Sequence, residues 1–128
     1  MPIDVVRLGS PRKAKEGLRI GTVRRPPRGV PKADFARRDY YDVWLPNLSP
    51  TQDLVSFALK AENQKSWKTF ERKFRAEMKQ PDASRLLDLL AALSHQTNFS
   101  VGCYCADEIR CHRSLLRKLL AERGAKFV

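Results

Sequence analysis

The sequence predicts a small single α/β domain with a mainly parallel sheet of three or four strands flanked by helices. Strand-like apolar segments alternate with amphipathic helical segments, which is the pattern of α/β proteins. The 128 residues suit one domain with its own core. Hydrophobic residues make up 42% and charged residues 30% of the chain, as in soluble globular proteins, and no apolar run approaches the roughly 20 residues that span a bilayer.

The first 17 residues are polar and basic and show no periodicity. They predict a basic N-terminal extension, residues 1–17, ahead of a single domain at residues 18–128. Because the start of the chain lacks the apolar core of a secretory signal, we expect a cytoplasmic location.

The first predicted strand is LRIGTV (18–23), which is short and largely apolar. RRPPRGVPK (24–32) follows it. Its three prolines remove backbone donors and fix φ, and Gly29 permits a turn, so this segment predicts a stiff basic loop. The aromatic and β-branched run YYDVWL (40–45) predicts the second strand.

A helix start follows at residues 49–52. Ser49 is the predicted cap, Pro50 takes the first helical position, and Gln52 lies three residues after the cap. The apolar positions of this helix then continue on one face, at Leu54, Phe57, Ala58 and Ala61.

Large apolar residues at spacings of three and four mark the second helix, which stops before Pro81. These residues are Trp67, Phe70, Phe74 and Met78, and we predict that they form core rather than a base-stacking surface. A leucine-rich third helix covers about 83–95, and a third strand covers 98–105. The last helix ends near Gly124, and residues 126–128 are predicted to add a short strand.

Cys111, His112 and Arg113 open the last helix, where unpaired backbone N–H groups and the positive end of the helix dipole meet. This position predicts a lowered pKa for Cys111, which makes it the candidate nucleophile, with His112 as its candidate base. The alternative is a buried structural cysteine beside a solvated His112 and Arg113.

Two basic loops, 24–32 and 106–112, follow predicted parallel strands. Ligands favour the carboxyl ends of such strands, and guanidinium groups bind phosphate oxygens. The leading hypothesis is therefore a pocket for a phosphate-bearing or other small anionic ligand, with thiol chemistry as an added feature and with no metal or identified cofactor. The residues predicted to contact the ligand are Arg24, Arg28, Gly29, Cys105, Glu108 and Arg113. Glu108 is alternatively a general acid or base, or an ion-pair partner of Arg110.

The three cysteines leave other chemistries open. Cys103 and Cys105 share one face of a strand, and with Cys111 and His112 they supply enough donors for tetrahedral zinc, although the spacing matches no common zinc finger. A Cys105–Cys111 disulfide or a sulfenate switch is another alternative. Cys103 itself is predicted to be a core residue, because cysteine is among the most buried residue types. A phosphatase-type loop is disfavoured because Cys105 is followed at the six-residue offset by Cys111 and not by an arginine.

The net charge of +11 is concentrated in residues 7–19 and 24–38. Such a field attracts phosphates. A non-enzymatic nucleic-acid-binding protein that uses its basic N-terminal half is therefore the main alternative function. It is disfavoured because the sequence contains no helix-turn-helix, zinc finger or RNP motif. A solubilising basic surface accounts for the charge equally well.

Three segments together resemble the domain of unknown function family 488, particularly its YeaO-like branch. They are VRRPPRGVPKADF (23–35), DVWLPNLSPT (42–51) with WKTFERKFRAEM (67–78), and CYCADEIRCHRSLL (103–116). The resemblance covers roughly residues 18–125 and implies a compact single-domain α/β fold in which the Pro-Arg-Gly loop and the Cys-His-Arg helix start recur. The matching positions are Arg24, Arg28, Gly29, Trp44, Pro50, Trp67, Phe70, Phe74, Glu77, Cys105, Cys111, His112 and Arg113.

Two positions depart from the YeaO-like pattern. Val23 stands where an aspartate often precedes the first arginine, and Pro26 stands where a tryptophan precedes Pro-Arg-Gly. Any role that needs a carboxylate at the first position is therefore in doubt for this chain. The family has no established reaction, so the resemblance implies a fold and a site location and leaves the function open.

Overall fold

Four strands and four helices make up the regular structure of the computed structural model, which describes residues 3–60, 63–105 and 111–128. The strands are β1 (Ile3–Arg7), β2 (Leu18–Gly21), β3 (Val43–Trp44) and β4 (Phe99–Cys103). The helices are α1 (Gln52–Leu59), α2 (Gln64–Met78), α3 (Pro81–Leu93) and α4 (His112–Glu122). Short 3-10 turns occupy Lys32–Asp34 and Pro46–Leu48.

The strands form one parallel sheet in the order β1-β4-β2-β3. Strand β4 is central, and all five of its residues are buried. Its Val101 lies in register with Val5 on one side and Ile20 on the other. The predicted α/β class with a mainly parallel sheet is therefore confirmed, and the carboxyl ends of all four strands meet at one edge.

The prediction that residues 1–17 form an N-terminal extension ahead of the domain is wrong for its first part. Ile3 is fully buried and pairs with Phe99, so residues 3–7 are an integral strand of the sheet. The backbone of Ile3 also bonds to Lys126 and Val128, and the predicted strand residues at 126–128 form a single bridge between Phe127 and Ile3.

One face of the sheet packs against the helices. Alternate strand residues, including Ile3, Ile20, Phe99 and Val101, join a single apolar core with residues from all four helices. Trp67, Phe70, Phe74 and Met78 are buried in this core, which confirms their predicted role. The inward leucines of α4 are buried there as well, at positions 115, 116, 119 and 120.

The other face carries a buried ion pair. Arg19 of β2 and Ser100 of β4 both bind Glu16, with 2.6 Å from Arg19 Nε to Glu16 Oε2 and 2.6 Å from Ser100 Oγ to the same oxygen. Burial raises the pKa of Glu16, but the hydrogen bonds from Arg19 and Ser100 outweigh it and lower that pKa to about 2. The segment before β2 is thereby fixed to the sheet.

Helix α1 begins later than predicted. Its N-cap is Thr51 rather than Ser49, because residues 46–48 form a 3-10 turn and Ser49 is buried beside it. Glu77 of α2 accepts hydrogen bonds from both the backbone N–H and the hydroxyl of Thr51, at 3.0 and 2.7 Å. Within the described ranges, none of the helices has the length and apolar character needed to cross a membrane.

Candidate thiol and imidazole site at the carboxyl edge of the sheet

Strand β4 and helix α4 bring three cysteines and a histidine to the carboxyl edge of the sheet. Cys103 is the last residue of β4, and Cys111 is the N-cap of α4 in an extended conformation. Cys103 and Cys111 are buried in an apolar cluster with Leu8, Val23 and Tyr41. Cys105 is exposed. The two buried thiols are therefore enclosed by segments that lie far apart in the sequence.

His112 is held by the end of strand β2. Its Nε2 lies 2.7 Å from the carbonyl oxygen of Thr22. Because a carbonyl only accepts, Nε2 carries the proton and Nδ1 is the acceptor nitrogen. Nδ1 lies 3.8 Å from Cys111 Sγ. Burial lowers the pKa of His112 to about 4, so the ring is neutral at pH 7.

The surroundings of the three thiols shift their pKa values in different directions. Hydrogen bonds from Cys103 and then Cys111 lower the pKa of the Cys105 thiol. The hydrogen bonds to Cys105 and then to Cys111, followed by burial, raise the pKa of Cys103. A hydrogen bond with Cys103 lowers the pKa of Cys111, but the bond to Cys105 and burial raise it to about 11 overall.

The predicted low pKa of Cys111 is wrong. Cys111 does sit at the start of α4, but it is only 2% exposed, and desolvation opposes the effect of the helix dipole. The alternative of a buried cysteine describes its environment better. The role of His112 as a base toward Cys111 stays a prediction, supported by the free Nδ1 and the 3.8 Å separation.

Arg113 is buried beside this cluster. It is 3% exposed, and its Nη2 donates to the carbonyl oxygen of Cys105 at 2.6 Å. No described residue forms a hydrogen bond with its Nε or with the hydroxyl of Tyr41. Among the described residues these are the two buried side-chain polar atoms without a partner, and both belong to residues that surround the thiols.

A model of the family DUF488-N3a, described as the active DUF488-N3 subclade, matches residues 3–124. The chain belongs to the DUF488 family. The match covers both the loop after β2 (residues 24–32) and the start of α4, in agreement with the resemblance found in the sequence. It is also consistent with the YeaO-like branch. No curated protein and no solved structure matches the chain.

The first basic loop of this DUF488 domain starts beside the cysteines. Tyr104 Oη donates to the carbonyl oxygen of Arg25 at 2.9 Å, and Thr22 binds His112. The Arg24 guanidinium, however, donates to the carbonyl oxygens of Ser49 and Pro50, both at 3.0 Å. The first loop thus begins next to the side chains of Tyr104 and His112, while Arg24 is occupied in holding the segment before α1.

The remaining predicted ligand residues of the DUF488 domain have no contact with the thiol cluster in the described part of the chain. Arg28 and Gly29 are exposed, and Gly29 has the positive φ of 75° that its turn requires. Glu108, Arg110 and most of the loop 106–112 lie outside the described residues.

Sequence reasoning missed three groups at the DUF488 site. They are the Thr22 carbonyl that orients His112, the Tyr41 hydroxyl, and the Tyr104 hydroxyl that binds the first loop. Tyr41 was read as part of a strand, yet its ring lies over Gly21, where an added Cβ would come within 2.3 Å of it. The sequence could have indicated the two hydroxyls only through the presence of tyrosines near the ends of predicted strands.

We expect Cys105 to be the first thiol alkylated by iodoacetamide, at least about tenfold faster than Cys103 or Cys111. Buried thiols react only after local opening of the structure, and Cys105 alone of the three is exposed. Peptide mass spectrometry of samples quenched over time measures the three rates in metal-free, reduced protein. The variant Cys105→Ser serves as control and should lose the fast phase. Equal rates at Cys105 and Cys111 would contradict the prediction.

Proposed function

We propose that this DUF488 protein binds a small phosphate-bearing anion at the carboxyl edge of its sheet, with Arg113 as the main anion contact and Cys105 as the accessible thiol beside it. The observation that carries the proposal is the buried, unpartnered Nε of Arg113. A buried donor without an acceptor costs about 1–3 kcal/mol, and an anion oxygen is the acceptor that a guanidinium binds most strongly.

Charge supports an anion over a neutral ligand. No carboxylate of the described residues pairs with Arg113, whereas at least one pairs with each of Arg12, Arg19, Arg37, Arg75 and Arg123. A guanidinium cannot lose its proton in a protein. A negatively charged ligand would therefore neutralise a buried positive charge as well as fill the missing hydrogen bond.

A cleft that shares Tyr41 with the cysteine cluster offers room for the rest of such a ligand. It has a volume of about 500 Å³, and its lining includes Lys32, Phe35, Trp44 and Asp42, whose carboxylate is paired with Arg12. Tyr41 belongs both to this cleft and to the apolar cluster around Cys103 and Cys111. Apolar walls with a few polar groups are typical of small-molecule sites. The family model's description as an active subclade also favours a site with chemistry.

Titration with inorganic phosphate tests the proposal. We expect saturable binding by calorimetry in the wild type and a roughly 10- to 100-fold weaker affinity in Arg113→Met, since a charge-assisted hydrogen bond contributes about 1.5–3 kcal/mol. Lys118→Gln is the matched control, because it removes an exposed positive charge from the same helix, and its affinity should stay within about twofold of the wild type.

A second readout does not depend on how the variant folds. The Nε–Hε resonance of Arg113 in the wild type should shift on addition of phosphate. An absence of saturable binding, or an unchanged affinity in a folded Arg113→Met protein, would overturn the proposal.

The nucleic-acid alternative stays a prediction with less support. Arg24 and Arg25 of the basic N-terminal half donate hydrogen bonds to Ser49, Pro50 and Gln52 within the chain. Arg12 and Arg19 are paired with acidic side chains. Side chains that are engaged in this way are less available to phosphates than the sequence suggests.

A further inference from the structure

We propose that Cys103, Cys111 and His112 form a binding site for one zinc-class divalent cation. Their donor atoms lie within 4.8 Å of one another. The residues come from the end of β4 and the start of α4. This inference goes beyond the proposed anion binding and does not depend on it, because it stands on three side chains that are separate from Arg113.

The histidine is already oriented as a metal ligand. Since Nε2–H donates to the Thr22 carbonyl at 2.7 Å, the lone pair of Nδ1 faces Cys111 Sγ. Metal-binding histidines usually donate their second N–H to a carbonyl or carboxylate in this way. A zinc ion with bonds of about 2.3 Å to sulfur and 2.0 Å to nitrogen places those two atoms about 3.5 Å apart in a tetrahedral geometry. The observed 3.8 Å needs only a small adjustment.

Charge and donor type select the ion. Two thiolates and a neutral imidazole neutralise a divalent cation, and a neutral assembly is the one that a buried site accepts at least cost. Cys103 and Cys111 are 1% and 2% exposed. Sulfur and imidazole nitrogen suit Zn²⁺ or Co²⁺, whereas Mg²⁺ and Ca²⁺ require oxygen ligands. Binding releases the two thiol protons to solvent and involves no oxidant.

Three protein ligands leave one tetrahedral position for a water molecule or another small ligand. Cys105 is exposed, and its sulfur is not among the three donor atoms that lie within 4.8 Å of one another. Replacement of Cys105 should therefore leave the metal bound. This distinguishes the proposed site from the four-donor zinc set considered from the sequence alone.

Cobalt titration of the full-length, metal-free, reduced protein tests the site. We expect one equivalent of Co²⁺ to produce thiolate charge-transfer absorption in the near ultraviolet and the visible bands of a tetrahedral complex, and Zn²⁺ to displace it. Cys103→Ser, Cys111→Ser and His112→Gln should each lose these bands, while Cys105→Ser should keep them. Elemental analysis of wild-type protein purified without chelator should find close to one zinc per chain.

Two results would overturn the metal site. One is the absence of thiolate charge transfer at stoichiometric Co²⁺ in the wild type, which does not depend on any variant folding. The other is a loss of the bands in folded Cys105→Ser as complete as in Cys103→Ser. Arg113→Met separates the two proposals, because it should keep the cobalt spectrum and lose phosphate binding. Failure of phosphate binding beside an intact cobalt spectrum would refute the proposed function alone.

Discussion

Glu16→Gln should lower the free energy of unfolding by about 3–5 kcal/mol, the range for breaking a buried ion pair by removing one partner. Glu16 is 5% exposed and Arg19 is 0% exposed. Both carboxylate oxygens bind the guanidinium, at 2.6 Å from Nε and 2.8 Å from Nη2. The substitution keeps the shape of the side chain but leaves the charge of Arg19 buried without a counter-charge.

Urea unfolding followed by circular dichroism measures the loss. Glu122→Gln is the matched control, because Glu122 also pairs with an arginine, Arg75, but its side chain is 54% exposed. An exposed pair contributes at most about 1 kcal/mol. An equal loss of unfolding free energy in the two variants would show that the buried pair contributes no more to stability than the exposed one.

The pair of Glu16 and Arg19 should also make the stability of the folded protein depend on pH in the acid range. The folded-state pKa of Glu16 is about 2, below its ordinary value of 4.5. A group with a lowered folded pKa stabilises the protein fully above its unfolded pKa, and that contribution is lost as the pH falls from about 4.5 to 2. The loss amounts to about 3 kcal/mol. Urea unfolding in this range should show a steep decline in the wild type and a flatter one in Glu16→Gln.

Phe74→Ala is expected to cost about 3–5 kcal/mol, as truncations of fully buried aromatic residues do. Phe74 is 0% exposed, stacks against Phe70 at 6.0 Å and meets the ring of His112 edge-on at 5.9 Å. The cavity would therefore open directly beneath the imidazole. Thermal and urea unfolding measure the cost, and Leu89→Ala, at a position that is 52% exposed, should change stability by no more than about 0.5 kcal/mol.

The milder variant Phe74→Leu tests whether this ring also positions His112. The burial that Phe74 provides helps to lower the pKa of His112 to about 4. We expect the pKa of His112, followed by NMR of its ring protons, to rise toward its usual value of 6.5 when the aromatic ring is lost. An unchanged pKa would limit the role of Phe74 to general packing.

Local patterns in the sequence were sufficient to predict the helices and the central strand. Periodic apolar spacing marks α2 and α4, and the run FSVGC marks β4, because in each case the signal lies within one segment. Strand β1 carries only five residues with little alternation. Its partner, β4, lies at the far end of the chain, so pairing rather than local propensity decides its structure.

The sequence predicted where the residues of the candidate site lie in the fold, but not what surrounds them. The sequence placed Cys111, His112 and Arg113 at a helix start, where they are found. It did not reveal that Leu8, Val23 and Tyr41 bury Cys111, since these residues arrive from other parts of the chain. The contacts of Arg24 with Ser49 and Pro50 are likewise tertiary, and charge alone favoured a ligand contact there.

The order of the strands has a consequence for biosynthesis. Strand β4 lies at the centre of the sheet, between β1 and β2, yet the ribosome makes it after all the other strands. A nascent chain that has emerged as far as α3 has no template on which to pair β1, and its apolar strand residues stay accessible to other chains. Translation products that end before residues 99–103 should therefore aggregate.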